Sequence, residues 1–272
     1  MKKLLPMAFV LSVLAADSPV ATFKDSNLEQ AVRKFIFGAD TGAPLTQDQL
    51  ERATLVSSSD LRVTDLSGLE KCPNLQTVYL TGAQVSDLTP LAKLSHLEQI
   101  TLTGGSLQDL SPLAGLTHLK YLDLSRNQIS DLQPLANLKE LQMLYLGNNK
   151  IADIAPLQGL TKLEILHLGG NQIVDIAPLA GLKELAILGL ADNRVKDVTP
   201  LTGITRWRTL NLDRNQITDL APLMVMAQKD QQGTKRFTSV WTVSIKGNPL
   251  SATSKAQDVP ALKKLSLDVI EN

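Results

Sequence analysis

The sequence repeats itself every 22 residues between Leu75 and Leu223. An apolar residue opens each copy, at equal intervals: Leu75, Leu97, Leu119, Leu141, Leu163, Leu185 and Trp207. A unit this short cannot enclose a core alone, so neighbouring copies must stack and bury one another's apolar side chains. The length of 272 residues would allow one domain or two. The uninterrupted period predicts a single elongated solenoid.

The copy that begins at Leu119, LKYLDLSRNQISDLQPLANLKE, shows the pattern within one unit, numbered here from position 1 to position 22. The alternation around the apolar positions 4 and 6 is typical of a short strand with one buried face. The apolar positions 11, 14, 17 and 20 are spaced by three, which favours a 3-10 or helical turn with one face inward. The pattern therefore predicts an α/β architecture of strands on one side and turns on the other.

Three polar or special positions recur through the copies. Position 9 is asparagine in five consecutive copies: Asn127, Asn149, Asn171, Asn193 and Asn215. An amide carries two donors and an acceptor, so this column is predicted to satisfy backbone groups where the chain leaves the strand. Ala83 and Gly105 replace it in the first two copies, where we expect looser turns. Position 13 is always Asp and position 16 is always Pro, which predicts that a helical turn begins there. The free N–H groups of that turn are expected to donate to the Asp carboxylate, and a bound cation is the alternative.

The combined pattern LxxLxLxxNxIxDLxPLxxLxx resembles the 22-residue repeats of bacterial internalins, from about Leu55 to Leu250. The resemblance implies a right-handed leucine-rich repeat solenoid with short parallel strands on the concave face, 3-10 turns on the convex face and a helical N-terminal cap. It also implies binding of proteins through the concave face. We see no cell-wall sorting motif and no room for an immunoglobulin-like domain, so surface anchoring is not expected.

The N-terminal residues 1–16 read as a secretory signal peptide. Lys2 and Lys3 precede an apolar run that is too short to span a membrane as a mature helix, and small residues follow it. The sequence therefore predicts a secreted or periplasmic protein without stable membrane insertion after cleavage. A helix retained in the mature protein is the alternative.

The two ends of the repeat array are predicted to carry caps. Residues 23–52 form the N-terminal cap, with one helix that starts in a capping box of Ser26 and Glu29 and a second, short helix that starts at Thr46. The repeats occupy residues 53–250, and residues 251–272 form the C-terminal cap. Eleven extra residues interrupt the last copy, at about 224–239, as a helix and a loop. This insertion is either surface decoration or a partner-binding loop.

Composition and motifs argue against several classes of function. Basic and acidic residues are equal at 27 each, so no positive field recruits nucleic acid. The single cysteine, Cys72, allows no internal disulfide and has no evident histidine partner. His96 and His118 share position 22, but two ligands make a weak metal site. No catalytic motif is present, and we expect no enzyme activity, no cofactor and no metal.

The outward-facing strand positions 3 and 5 are the candidate binding surface. They carry all three tyrosines of the chain and a run of large apolar residues in four consecutive copies. The residues predicted to bind a protein partner are Tyr79, Tyr121, Asp123, Met143, Tyr145, Ile165, His167, Ile187 and Asn211. Aromatic residues and Met are enriched at interfaces, although strands also favour aromatic and β-branched residues for local reasons. The prediction is an exported, monomeric, non-catalytic module that binds a protein; the alternative is a regulator or inhibitor of an exported enzyme.

Overall fold

The computed structural model describes residues 22–38, 44–59, 62–232, 241–265 and 268–271. Within these residues ten strands form one sheet whose strand order follows the chain order. Every neighbouring pair is parallel. The strands are β1 (Leu55–Ser58), β2 (Thr77–Thr81), β3 (Gln99–Thr103), β4 (Tyr121–Asp123), β5 (Met143–Tyr145), β6 (Ile165–His167), β7 (Ile187–Gly189), β8 (Thr209–Asn211), β9 (Thr242–Ser244) and β10 (Asp268–Ile270).

The 22-residue period sets the register of the sheet. Leu122 pairs with Leu144, which pairs with Leu166, and all three side chains are completely buried. Position 4 therefore forms a continuous inward row, and positions 3 and 5 point to the other side of the sheet. Between β8 and β9 the offset grows, because Leu210 pairs with Val243. The eleven additional residues of the last copy lie between these two strands.

Opposite the sheet, the copies before Trp207 each make a 3-10 turn, and an α-helix, Ala221–Gln232, takes its place in the copy that begins at Trp207. Within the described residues these turns are Leu69–Lys71, Thr89–Leu91, Ser111–Leu113, Gln133–Leu135, Ala155–Gly159, Ala177–Gly181 and Thr199–Gly203. The Asp at position 13 caps each following turn or helix: Asp131 Oδ1, for example, accepts a hydrogen bond from the Gln133 N–H at 2.8 Å, and the other six copies repeat the contact. The Asp column is a set of backbone caps.

The asparagine column ties neighbouring copies together through their backbones. Asn149 Nδ2 donates to the carbonyls of Leu124 and Leu146 at 3.1 and 3.0 Å, and its Oδ1 accepts from the Ile129 N–H at 3.1 Å. The same three bonds recur at Asn127, Asn171, Asn193, Asn215 and Asn248. In the two copies without asparagine the strands are longer instead, and the pairing of β2 with β3 extends to Thr81 and Thr103.

The N-terminal helix α1 (Ser26–Phe37) covers the first strand, and a short helix α2 (Gln47–Leu50) follows. The expected capping box at Ser26 and Glu29 is wrong, because the N-cap of α1 is Asp25. Its Oδ1 accepts hydrogen bonds from the N–H groups of Asn27 and Leu28 at 2.8 and 3.0 Å. The predicted start of the second helix at Thr46 is confirmed, and the Thr46 N–H donates to Gln49 Oε1 at 2.9 Å.

At the other end, helix α3 (Ala221–Gln232) fills part of the insertion, and helix α4 (Val259–Lys264) follows a π-helical turn. The last strand, β10, pairs with β9 through Val269 and Val243. The predicted signal peptide at 1–16 and insertion residues 233–239 lie outside the described residues. No helix within the described ranges is long and apolar enough to cross a membrane.

Candidate functional site

The strand face carries a continuous run of apolar side chains at position 3, here called the apolar stripe: Tyr121, Met143, Ile165 and Ile187. The sheet places each member directly beside the next, since β4 to β7 pair at these residues. Every member is partly exposed. The stripe is therefore available for contact on the face opposite the leucine core, where neighbouring strands are about 4.8 Å apart.

A second set of side chains lies on the same face, on β2, β4, β5 and β6, and is here called the aromatic row: Tyr79, Tyr121, Tyr145 and His167. The Tyr121 and Tyr145 ring centroids are 5.5 Å apart with a tilt of 38°, and the Tyr145 and His167 rings stack at 5.0 Å and 12°. Tyr79 on β2 is 43% exposed. The contacts restrict the ring orientations of Tyr121, Tyr145 and His167, so these three side chains present a pre-organised surface.

Gly189 makes room for the last ring of this row. It pairs with His167 across β6 and β7. A Cβ atom on Gly189 would lie 2.5 Å from His167 Nδ1, which is closer than any real contact. The imidazole therefore lies over the bare backbone of β7. The sequence analysis gave this glycine no role. A signal was present, because position 5 carries a side chain in the copies on both sides, His167 and Asn211.

Asp123 dominates the electrostatics of the face. It is the only Asp, Glu, Lys or Arg at positions 3 and 5 of strands β2 to β9. Its Oδ1 accepts a hydrogen bond from the Ser125 N–H at 2.9 Å. Partial burial raises the pKa of Tyr121 and Tyr145, and the negative charge of Asp123 raises both further. Both phenols are therefore neutral hydrogen-bonding groups around neutral pH.

The imidazole of His167 is held in its neutral form by its surroundings. Burial lowers the pKa of His167 below its ordinary value of 6.5, and the charge of Asp123 opposes that effect only in part. A neutral ring offers one donor and one acceptor. At neutral pH the rings of Tyr121, Tyr145 and His167 are therefore uncharged and lie beside the Asp123 carboxylate.

A groove of about 540 Å³ opens beside the apolar stripe, at the edge where the strands begin. Ile165 and Ile187 contribute its apolar wall. Ala186 and Thr205 also line the groove, together with charged residues of positions 2, 21 and 22: Glu164, Lys183, Glu184, Arg206 and Arg208. Arg206 and Glu184 form an ion pair across neighbouring copies. The stripe thus adjoins a mixed-charge border, which is the arrangement of an interface with an apolar centre and a polar edge.

The opposite border of the face has an unusual backbone. Position 8 adopts positive φ in every one of the seven copies. Four of these residues are not glycine and are here called the rim: Arg126, Asn148, Asp192 and Arg214, with φ of 60°, 57°, 57° and 51°. Arg214 Nη2 donates to Asp192 Oδ2 at 2.6 Å. Arginine is disfavoured in this region by its Cβ, so Arg126 and Arg214 hold a conformation that glycine adopts freely in other copies.

Replacing Arg126 by glycine is expected to stabilise the protein. The Arg126→Gly change removes the steric cost of positive φ, worth about 1 kcal/mol, which corresponds to a rise in Tm of roughly 2–4 °C. Thermal unfolding followed by circular dichroism measures it. Arg194→Gly is the matched control: Arg194 is also exposed but lacks positive φ, so it should lose stability. Equal loss in both variants would contradict this account.

The remaining candidate residues from the sequence are Cys72, His96 and His118. Burial, chiefly, raises the pKa of the Cys72 thiol to about 12, so it is not a thiolate near neutral pH. His96 and His118 are exposed, and His96 Nδ1 lies 3.1 Å from the Pro73 carbonyl. Within the described ranges no group of three or more His, Cys, Asp or Glu side chains is placed to hold a metal ion.

The structure places all nine predicted binding residues on strands of one face, but it does not bring all of them together. The aromatic row, Asp123, Met143, Ile165 and Ile187 form a contiguous area on β2 to β7. Asn211 on β8 is separated from His167 by Gly189, and its Oδ1 accepts from the N–H of Asp213 at 3.0 Å. Asn211 therefore supports its own turn.

The fold and this face define a leucine-rich repeat protein, and comparisons with known proteins agree. Family profiles match residues 139–181, described as "Leucine Rich repeats (2 copies)", and residues 95–151, described as "Leucine rich repeat". The comparison with curated proteins returns no match.

Solved structures identify the branch of this class. Internalin C2 from Listeria monocytogenes is 38% identical, with a TM-score of 0.71 over 74% of this chain and 89% of that one. The chain therefore belongs to the internalin-like leucine-rich repeat proteins. A second internalin of that organism (24% identity, TM-score 0.52, 91% and 88% of the two chains) and a leucine-rich repeat protein of Leptospira interrogans (20%, 0.60, 81% and 62%) share the fold. Proteins of this type are generally non-catalytic scaffolds for protein–protein interaction.

Proposed function

We propose that this protein is an exported, non-catalytic module that binds a protein partner on the concave face, through the apolar stripe and the aromatic row. The observation that carries the proposal is the partly exposed, contiguous area of Tyr, Met and Ile opposite the leucine core. Contiguous apolar area of this kind on a soluble protein marks an interaction site more often than scattered residues do. The ring contacts support it, because a restricted surface loses less entropy on binding.

Two further observations support a protein as the ligand. The area is long and shallow, spread over six strands, which suits another protein's surface better than an enclosed small molecule. Its borders carry charged and polar groups that remain exposed, as at the edge of a protein interface. Export rests on the N-terminal Lys–apolar–small pattern, and we propose that the exported form is a monomer in the periplasm or outside the cell.

The test uses the partner recovered by cross-linking in the native host, with affinity measured on purified components. Ile165→Asp places a charge in the middle of the apolar stripe and is expected to weaken binding by at least tenfold. Val174→Asp is the matched control, because Val174 is 52% exposed and lies off the strands. Equal affinities for wild type and Ile165→Asp would remove the apolar stripe from the binding surface.

The second candidate function is a regulator or inhibitor of an exported enzyme. It uses the same surface and requires that the recovered partner is an enzyme. It is distinguished by assaying the partner's rate with and without this protein. A change of rate that Ile165→Asp abolishes supports regulation through the face. An unchanged catalytic rate of the partner would mean that this protein binds it without regulating it.

A further inference from the structure

Asp123 is a carboxylate without a cation on an otherwise apolar and aromatic surface. The ion pairs among the described residues involve other side chains: Arg33–Glu29, Lys120–Glu98, Lys162–Glu140, Arg206–Glu184, Arg214–Asp192 and Lys263–Glu271. Glu98 and Lys120, one position outside the strand face, neutralise each other at 2.9 Å. The negative charge of Asp123 is therefore uncompensated within the part of the chain that the structure describes.

Aromatic rings stand around this carboxylate. Asp123 pairs with Tyr145 on one side and with the buried Thr101 on the other. Tyr121 lies two residues earlier on the same strand and the same face, and its ring contacts that of Tyr145. Tyr79 follows beyond Thr101. All three tyrosines of the chain thus lie within two strands of one carboxylate, and we call Asp123, Tyr121 and Tyr145 the acidic notch.

The chemistry of the acidic notch suits one kind of group. A carboxylate flanked by phenol rings offers a cation an opposite charge together with electron-rich ring surfaces. The partial burial of Tyr121 and Tyr145 shows that water is already limited there, which strengthens an ion pair relative to one in open solvent. His167 adds no competing positive charge, since burial favours its neutral form.

We propose that the acidic notch receives a basic side chain, Arg or Lys, from the protein partner. The proposal rests on the proposed function, and it adds the partner's chemistry: a basic residue set within an apolar contact area. The apolar stripe supplies area, and the notch supplies the charge that fixes the partner's position along the sheet. Like-charged or uncharged groups at that position are rejected, because Asp123 would remain unpaired in a desolvated site.

The first arm of the test needs no partner. The full chain is titrated with N-acetyl-arginine amide while amide chemical shifts are followed by NMR, and N-acetyl-citrulline amide serves as the uncharged control of the same shape. We expect shifts centred on β3 to β5 with the arginine probe, smaller ones with citrulline, and loss of the arginine response in Asp123→Asn. That variant keeps the acceptor for the Ser125 N–H, so the turn is preserved. Equal shifts from both probes, or no shift at β4, overturn the proposal.

The second arm uses the recovered partner. Asp123→Asn is expected to weaken binding tenfold or more and to flatten its dependence on salt, whereas Glu98→Gln, which removes a nearby paired charge, changes affinity less than threefold. Binding that falls in Ile165→Asp but not in Asp123→Asn overturns the notch and leaves the proposed function standing. Binding unaffected by either variant overturns both. An equal loss in Asp123→Asn and Glu98→Gln indicates general charge attraction and also overturns the notch.

Discussion

Asn171→Ala is expected to lower the free energy of unfolding by about 1–3 kcal/mol. The amide of Asn171 donates to the carbonyls of Leu146 and Leu168 at 3.0 and 2.8 Å and accepts from the Ile151 N–H at 3.0 Å. The residue is 8% exposed, so water does not replace these bonds freely. Alanine leaves the Ile151 N–H unpaired in the middle of the array. It also removes one of the two amide donors from each of the Leu146 and Leu168 carbonyls, which keep Asn149 and Asn193 as partners.

Urea unfolding followed by circular dichroism measures this loss, and hydrogen exchange locates it. Protection should fall at β5 and β6 first, because a repeat array is stabilised through contacts between neighbours. Asn137→Ala is the matched control: Asn137 is exposed just after the 3-10 turn Gln133–Leu135, and this change is expected to cost under about 0.5 kcal/mol. Equal midpoints for the two variants would mean that solvent satisfies the asparagine column.

Asp25→Ala is expected to cost a similar amount, about 3 kcal/mol, and to detach the N-terminal cap from the repeats. Besides capping α1, the carboxylate reaches across the chain: Oδ2 accepts from the Thr64 N–H at 2.7 Å, from Thr64 Oγ1 at 2.9 Å and from the Asp65 N–H at 3.3 Å. One side chain thus holds the first helix on the first repeat. Asp48→Ala is the control, since Asp48 is exposed in the first turn of α2; an equal loss there would contradict the role of Asp25.

The same carboxylate makes the cap sensitive to acid. Burial alone raises the pKa of Asp25, but hydrogen bonds from Thr64, Leu28 and Asp65 outweigh it and place the pKa below its ordinary 3.8. The folded state thus binds this proton less readily than the unfolded state. The stabilisation is complete above the ordinary pKa and is lost as pH falls through the lowered one. Asp25→Asn should therefore show a smaller fall in unfolding midpoint between about pH 5 and pH 2 than the wild type.

Most of the fold could be predicted from the sequence, because a fixed period determines register. Once Leu122, Leu144 and Leu166 occupy one buried row, residues 22 apart must pair on the open face as well. The apolar stripe and its partly exposed state follow from that arithmetic. The turn chemistry of the Asp and Asn columns follows too, since each column recurs with the same neighbours.

The features that sequence reasoning missed depend on contacts outside the period. Ser26 and Glu29 have the spacing of a capping box, but Asp25 is the N-cap of α1. Its second carboxylate oxygen accepts a hydrogen bond from the Thr64 N–H, 39 residues away, which the local pattern does not show. Gly189 is the one position 5 of the seven copies without a side chain. The His167 ring lies over its backbone, but this depends on a ring orientation that the sequence pattern does not specify. The left-handed rim was detectable in principle, since Gly82, Gly104 and Gly170 share position 8 with Arg126.

Uniform pairing between β4 and β8 makes the length of the proposed binding face adjustable in whole units. Removing residues 141–162 would delete one strand and one turn and join two copies at the same phase. Tyr121 would then lie beside Ile165, and the distance between Tyr79 and His167 would shorten by about 4.8 Å. Duplicating the same segment would lengthen that distance by the same step. Gain or loss of 66 nucleotides in the gene would therefore change the length of the proposed binding face by one strand without disturbing the register of the others.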